Sequence, residues 1–309
     1  MNGAATATNS TTLSRIVFGC GNFGGLGSSP TLRDKGDDRE RALALLDHAR
    51  DRGLTRFDTA NTYGGGTSER VLGEWLRGQS PAVRASFQIA TKVGNPNGCP
   101  EGDTPLSRTQ VAFHLDESLR RLGLERIDLY YLHEFDPKTP IGGTLEALDR
   151  ALGQGKIAAF GVSNATLTDL QGVLTHTTGR LRQAFTHVQN QFNLLDPGDL
   201  QAVIPLCQAE GLQYVAFSPL SGGLLSGKYK PGEPPAAGRV KDAPGFYDHL
   251  LTTATFDAIA ALRRQAEAGG LTVAGAALRF ILDSPGAPSL IIAPRSIGQF
   301  EDYGLERLG

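Results

Sequence analysis

Short apolar runs alternate with longer segments of helical periodicity along nearly the whole chain. Each run has five to eight residues, a length typical of strands, and the runs occupy 15–19, 54–58, 87–92, 127–133, 157–164, 187–192, 212–219 and 289–294. The segments between them repeat apolar residues every three or four positions. In 38–52, for example, one helical face carries Ala42, Leu45, Leu46 and Ala49. Such alternation indicates parallel strands that are joined by helices.

Eight strand–helix units in a chain of 309 residues predict an α/β fold, specifically a single-domain (β/α)8 TIM barrel. No change of composition marks a second domain, so we expect the barrel to occupy 13–309 after a flexible N-terminal tail at 1–12. The alternative is a doubly wound open sheet. In a barrel, the functional residues are expected at the C-terminal ends of the strands.

A glycine pattern after the first strand resembles a dinucleotide-binding fingerprint. Gly19, Gly21 and Gly24 have the spacing G-x-G-x-x-G. That motif needs a helix N-terminus at its third glycine, where the pyrophosphate would bind. Here the loop continues through GLGSSP instead. We therefore interpret the glycines as a flexible loop that lets the backbone approach a ligand closely.

Composition excludes several other classes of protein. The net charge is −2, and the basic residues are dispersed, so we expect no nucleic-acid partner. No apolar run is long enough for a membrane helix, and residues 1–12 lack the pattern of a signal peptide. Three widely spaced cysteines do not suggest a disulfide framework, which favours a cytoplasmic location. We expect a monomer or a small homo-oligomer.

Polar or ionisable side chains follow three successive predicted strands. Asp58 and Tyr63 come after the second strand, Lys92 ends the third, and His133 ends the fourth. A lysine ammonium can stabilise a tyrosinate and lower the pKa of the phenol, and a carboxylate can keep that lysine charged. A neutral histidine can hydrogen-bond a carbonyl oxygen. Each residue alone has a structural explanation, but together they predict a proton-transfer site that needs no metal.

Longer motifs resemble the aldo-keto reductase family. They are FDTANTYGGGTSERVLGEWL, ATKVG, SLRRLGLERIDLYYLH, QGKIAAFGVSN, VQNQFNLLD and AFSPLSGGLLSGKY, in family order over about residues 15–300. The resemblance implies a barrel that binds NADPH, or NADH, across its C-terminal face. It also implies hydride transfer to a carbonyl carbon or from an alcohol carbon. Tyr63 would be the general acid or base, Lys92 and Asp58 would tune it, and His133 would orient the substrate.

The resemblance also assigns a set of cofactor-binding residues: Gly21, Asn22, Asp58, Ser163, Asn164, Gln189, Phe217, Ser218, Leu220, Arg295, Ser296 and Gln299. Ser163, Asn164 and Gln189 would bind the nicotinamide carboxamide, to which amide side chains are suited. Phe217 replaces the usual stacking tyrosine. Arg295 is expected to contact a 2′-phosphate, but Tyr303 stands where the family commonly has asparagine. We therefore expect a moderate preference for NADPH, with NADH usable.

The sequence leaves three functions open. The first is an NAD(P)(H)-dependent oxidoreductase that acts on a small carbonyl compound or alcohol. The second is an aldose 1-dehydrogenase using NAD(P)⁺, because FGCGNFGGLGS and ANTYGGGTSE resemble that subgroup and would imply a sugar substrate. The third is a non-catalytic, cofactor-binding regulatory subunit of the same fold. Loops 94–106, 134–140 and 221–250 are expected to set specificity, with 221–250 also covering the cofactor.

Overall fold

Eight parallel β-strands close into a barrel in a computed structural model of the chain, which describes residues 12–100, 104–233, 235–286 and 288–308. The strands are β1 (Ile16–Gly19), β2 (Arg56–Asp58), β3 (Gln88–Val93), β4 (Ile127–Leu132), β5 (Ile157–Ser163), β6 (Phe185–Gln191), β7 (Gln213–Phe217) and β8 (Ser289–Ile292). Neighbours pair in chain order, and β8 pairs with β1. The predicted (β/α)8 barrel is confirmed, and the open sheet is excluded. The predicted tail, 1–12, lies outside the described residues except for Thr12, which is buried.

Helices surround the barrel. The α-helices are α1 (Arg39–Asp51), α2 (Thr67–Arg77), α3 (Pro81–Ala85), α4 (Arg108–Leu122), α5 (Ile141–Gly153), α6 (Leu167–His176), α7 (Gly179–Ala184), α8 (Val203–Glu210), α9 (Arg239–Asp242), α10 (Thr253–Ala268), α11 (Val273–Leu282) and α12 (Ile297–Glu301). Shorter 3-10 turns lie at Pro30–Lys35, Tyr63–Gly66, Pro96–Gly98, Gly198–Leu200, Ser221–Ser226, Asp248–Leu250 and Leu305–Arg307. In the part of the chain that the structure describes, no helix combines the length and apolar character needed to span a membrane.

The segment after β1 confirms that the glycine pattern is not a dinucleotide fingerprint. No helix begins at Gly24, whose φ is 71°. The first α-helix after β1 begins at Arg39, and the side chain of Asp38 caps it by accepting a hydrogen bond from the backbone N–H of Arg41. The intervening loop therefore stays open at the C-terminal face of the barrel, where it can contact a ligand.

Some element boundaries differ from the sequence-based expectation. The helix expected over 198–210 divides into a 3-10 turn at Gly198–Leu200 and the helix α8. Pro205 lies in the first turn of α8, where its missing N–H is tolerated, so the helix starts just before it. The short helices α3 and α7 were not expected, because five or six residues give too little periodicity to detect.

Alternation along the strands divides the interior into two environments. In β3, Ile89 and Val93 face outward into the large apolar core between strands and helices. Ala90 and Lys92 alternate with them and therefore point into the barrel, and Lys92 is completely buried. Lys92 pairs in register with Tyr131 of β4. The barrel lumen is thus partly polar, and its last layer at the C-terminal end carries the candidate chemistry.

Gly73 provides a test of the packing between α2 and α4. A Cβ at this position would lie 2.3 Å from the backbone oxygen of Arg121 and 2.8 Å from the Cα of Leu122. Gly73→Ala should therefore destabilise the protein by about 1–3 kcal/mol, because the two helices must separate. Gly172 in α6 is the matched control, since a Cβ there would meet nothing within 4 Å. Gly172→Ala should stabilise by up to about 1 kcal/mol through helix propensity. Urea titrations measure the free energy of unfolding of both variants. Equal changes in Gly73→Ala and Gly172→Ala would contradict the close packing of α2 against α4.

Candidate active site

The four residues predicted from the strand ends meet at one point of the C-terminal face. The Nζ of Lys92 forms an ion pair with Asp58, donates to the carbonyl oxygen of Thr59 at 2.8 Å and lies 3.3 Å from the hydroxyl of Tyr63. The rings of Tyr63 and His133 are in edge contact, with centroids 5.5 Å apart. The structure therefore brings the predicted set together.

Local sequence explains how Tyr63 reaches this point from a loop. Three glycines, Gly64, Gly65 and Gly66, follow it, and all have positive φ, a conformation that other residues rarely adopt. A Cβ on Gly64 would lie 2.6 Å from the backbone oxygen of Phe23, so only glycine lets the two loops approach each other. The turn directs the tyrosine ring back over Lys92, whose Nζ lies 4.8 Å from the ring centroid.

Burial shapes the protonation of these groups. Burial lowers the pKa of Lys92, but the charge of Asp58 outweighs it with the help of Tyr63, so the pKa is raised and the ammonium stays charged. Burial raises the pKa of Tyr63, and Lys92 opposes this only in part. The expected lowering of the phenol pKa by lysine is therefore present as an opposing effect, but the net direction is upward. At neutral pH the phenol is protonated and can donate.

His133 is held as a neutral imidazole. Burial, followed by the nearby charge of Lys92, lowers its pKa well below the usual value. Its backbone N–H donates to Val93, and its carbonyl oxygen accepts from the side chain of Asn164, at 2.7 and 2.9 Å. The buried Nδ1 has no hydrogen-bond partner among the described residues. A neutral ring beside Tyr63 can donate one hydrogen bond to a substrate oxygen.

A cavity of about 1120 Å³ opens above these residues. This exceeds the roughly 300–1,000 Å³ of pockets for drug-sized ligands and suits an extended molecule. Its described lining includes four cationic side chains, which are Arg41, Lys228, Arg239 and Arg295. Such a concentration of positive charge suits a ligand with several phosphate groups. The described residues contain no cluster of His, Cys, Asp and Glu that could hold a metal ion.

Several residues expected at the cofactor do line this cavity: Gly21, Asn22, Asp58, Ser163, Asn164, Gln189, Phe217, Ser218, Leu220, Arg295 and Gln299. Asn164, Ser218 and Ser221 have φ values of 53°, 54° and 47°, which are unusual for residues other than glycine. All three line the cavity, and such strain is commonly kept at ligand sites. The cavity thus has the size, charge and backbone geometry to fit a nicotinamide dinucleotide.

Other expected cofactor contacts are already engaged within the protein. Gln189 donates to the second oxygen of Asp58 at 2.9 Å. Asn22 donates to the carbonyl oxygen of Ala293 and accepts from Arg239, at 3.0 and 2.8 Å. Ser296 does not line the cavity, and its hydroxyl caps α12 by accepting from the N–H of Gln299. That helix has only five residues, so its N-terminus offers little attraction for an anion.

Arg295 lies in the cavity wall between two carboxylates. Its guanidinium contacts Asp37 at 3.3 Å and Asp242 at 2.8 Å, and it donates to the carbonyl oxygen of Lys35 at 2.9 Å. Sequence reasoning considered Arg295 alone and missed these partners, because they come from the loop after β1 and from α9. Part of the charge of Arg295 is therefore already balanced within the protein.

The segment 221–250 is more ordered than a long structureless loop. Leu224, Leu225 and Val240 form a small apolar cluster with residues of α10 and α11. Arg239 and Asp242 of this segment bind Asn22 and Arg295, on other loops around the cavity. The segment therefore spans part of the cavity. Lys228 and Arg239 were missed as candidates although Lys228 lies in the SGKY motif, and Arg41 gave no sequence signal.

Removing one charge of the buried pair tests its energetic role. Lys92→Met leaves Asp58 buried without a counter-charge and should lower the free energy of unfolding by about 3–5 kcal/mol. The double variant Asp58→Asn with Lys92→Met removes both charges, so its free energy of unfolding should fall clearly less than that of Lys92→Met alone. Urea titrations of wild type and both variants measure this. Equal losses in the single and double variants would show that packing alone, and not the unpaired charge, is responsible.

Comparison with known proteins identifies the family of the chain. The aldo/keto reductase family model matches residues 15–303. An uncharacterized oxidoreductase, YrpG of Bacillus subtilis, is 30% identical over 94% of this chain and 86% of its own. The L-glyceraldehyde 3-phosphate reductase of Escherichia coli K12 is 31% identical over 85% of this chain and 78% of its own. An NADP⁺ aldo-keto reductase of Schizosaccharomyces pombe is 29% identical over 72% of this chain and 66% of its own. The chain belongs to the aldo/keto reductase family and is an oxidoreductase that uses a nicotinamide cofactor.

Proposed function

We propose that the protein reduces a small aldehyde or ketone with NADPH, and reversibly oxidises the alcohol, with Tyr63 as the proton donor or acceptor. The observation that carries this proposal is the Tyr63 hydroxyl 3.3 Å from the Lys92 ammonium, at the floor of a cavity that fits a dinucleotide. The bound cofactor supplies the hydride.

Side chains of the protein can supply the proton that the reduced carbonyl oxygen needs. Tyr63 is protonated at neutral pH and lies beside a neutral His133, so a carbonyl oxygen can accept a hydrogen bond from each. When the phenol gives up its proton, the charge of Lys92 stabilises the tyrosinate. Asp58 keeps Lys92 charged and in place. Proton transfer is therefore supported by a preformed arrangement rather than by a change of conformation.

The cavity residues suggest how the cofactor is held. Ser163 ends β5, and Asn164 follows it and donates to the carbonyl oxygen of His133. Both residues line the cavity and carry donors and acceptors suited to a carboxamide. Phe217 ends β7 and offers a ring face for stacking. Lys228, Arg239 and Arg295 supply positive charge for the phosphates. Gln189 can join them only by sharing its amide with Asp58.

Substitution of the acid tests the function. Tyr63→Phe removes the proton but keeps the ring, so kcat for NADPH-dependent reduction of an aromatic aldehyde should fall by about 10²–10⁴-fold. Cofactor binding, followed by nicotinamide fluorescence, should persist. Wild-type kcat in this variant would contradict the role of Tyr63. Absence of turnover in wild type across many carbonyl compounds, despite cofactor binding, would favour the regulatory subunit.

A second test addresses cofactor preference. The 2′-phosphate of NADPH favours a guanidinium, but Asp37 and Asp242 already balance part of the Arg295 charge. We therefore expect NADPH to be preferred only moderately. Arg295→Ala should lower the NADPH/NADH ratio of kcat/KM by about tenfold. Arg180→Ala, on the remote helix α7, is the control and should leave the ratio unchanged. An unchanged ratio in Arg295→Ala, or a wild type that prefers NADH, would refute this assignment.

A further inference from the structure

The cavity beside the catalytic residues is lined by polar side chains. Asn95, Asn97, Glu134, Gln191, Ser28 and Ser29 all border it. Glu134 directly follows His133, whose ring touches Tyr63. Asn95 lies two residues after the end of β3. The end of β3 is tied to the end of β4 because the N–H of His133 donates to the carbonyl oxygen of Val93. Asn95 and Glu134 therefore lie in the cavity wall just after β3, which carries Lys92, and after His133, which follows β4.

Asn95 and Glu134 form the central pair of this lining. The side-chain amide of Asn95 donates to Oε1 of Glu134 at 2.6 Å. Asn95 is itself buried, and its side-chain oxygen accepts from the backbone N–H of Asn97 at 3.0 Å, which fixes the orientation of its amide. Glu134 is thus held in one place by a residue that has little freedom to move.

One oxygen of Glu134 remains available. Within the described residues, Oε2 accepts no hydrogen bond, and no lysine or arginine pairs with the carboxylate. Partial burial raises the pKa of Glu134, and the hydrogen bond from Asn95 opposes this. Glu134 lines the cavity and is only half-buried, so its carboxylate is accessible to a donor that enters from the cavity. A substrate hydroxyl that binds there can replace the water that otherwise solvates the carboxylate.

We infer that Glu134, positioned by Asn95, determines substrate specificity by accepting a hydrogen bond from a hydroxyl near the reacting carbonyl, so that the enzyme selects neutral polyhydroxylated carbonyl compounds. This inference rests on the proposed carbonyl reduction. The charge of Glu134 also disfavours substrates that carry a carboxylate or phosphate near the carbonyl. Within the described residues, none of the four cations of the cavity wall pairs with Glu134, and the charge of Arg295 is partly balanced by Asp37 and Asp242.

Two pairs of aldehydes separate hydroxyl recognition from charge. Glyceraldehyde and propanal differ in hydroxyl groups, whereas para-carboxybenzaldehyde and para-nitrobenzaldehyde differ in charge. Wild type should prefer glyceraldehyde to propanal, and para-nitrobenzaldehyde to para-carboxybenzaldehyde. Glu134→Leu removes the acceptor and should lower the glyceraldehyde/propanal ratio of kcat/KM by about tenfold, as expected for a hydrogen bond to a charged group. Glu134→Gln keeps an acceptor but removes the charge, so it should mainly raise the relative rate on para-carboxybenzaldehyde, by about tenfold.

The control is Glu267→Gln, the same chemical change on the exposed face of α10, which should alter neither ratio. Turnover with both ratios unaffected by the Glu134 substitutions would overturn the inference and leave the proposed function intact. Absence of wild-type turnover would instead count against the proposed function. In that event, saturation-transfer NMR on the enzyme–NADP⁺ complex compares the binding of erythritol with that of 1,4-butanediol and so tests the inference without turnover. A preference for erythritol that Glu134→Leu abolishes supports it, and no preference refutes it.

Discussion

Lys92 and Asp58 meet inside the barrel almost without access to solvent, where two charges are stable only if further hydrogen bonds satisfy them. Lys92 has the carbonyl oxygen of Thr59 and the hydroxyl of Tyr63, and Asp58 has the amide of Gln189. Thr59 and Tyr63 lie after β2 and Gln189 lies in β6, while the ion pair itself joins β2 to β3. The ion pair therefore depends on barrel closure, and the position of the Tyr63 phenol depends on the ion pair through its contact with Lys92.

Much of this arrangement follows from the sequence because it depends on periodicity and order. Eight apolar runs separated by helical segments specify the barrel, and the rule that parallel strands end at one face brings Asp58, Lys92 and His133 together. Contacts between distant loops were not predictable in this way. The pairing of Arg295 with Asp37 and Asp242, and the contact of Arg239 with Asn22, depend on how irregular loops fold over the strand ends. No local spacing encodes those contacts.

The protonation of Tyr63 shows a second limit of sequence reasoning. The presence of Lys92 predicts a lower phenol pKa, and the structure does contain that effect. Burial acts in the opposite direction and is larger, and the depth of a side chain below a loop is a tertiary property. Under the proposed function this outcome is favourable, since a protonated phenol is the form that donates. The proposed role of the lysine is then to stabilise the phenolate that forms when the proton leaves.

The charges that line the cavity come from different elements. Arg41 belongs to α1 and Arg295 follows β8, while Lys228 and Arg239 belong to the segment 221–250. Arg239 also acts on Tyr63, because its charge is one of those that oppose the rise of the phenol pKa on burial. Glu134 directly follows His133 in the chain, and within the described residues its carboxylate pairs with none of these cations. Under the proposed function, the cations serve the phosphates of the cofactor, and the carboxylate of Glu134 is left to act on the substrate.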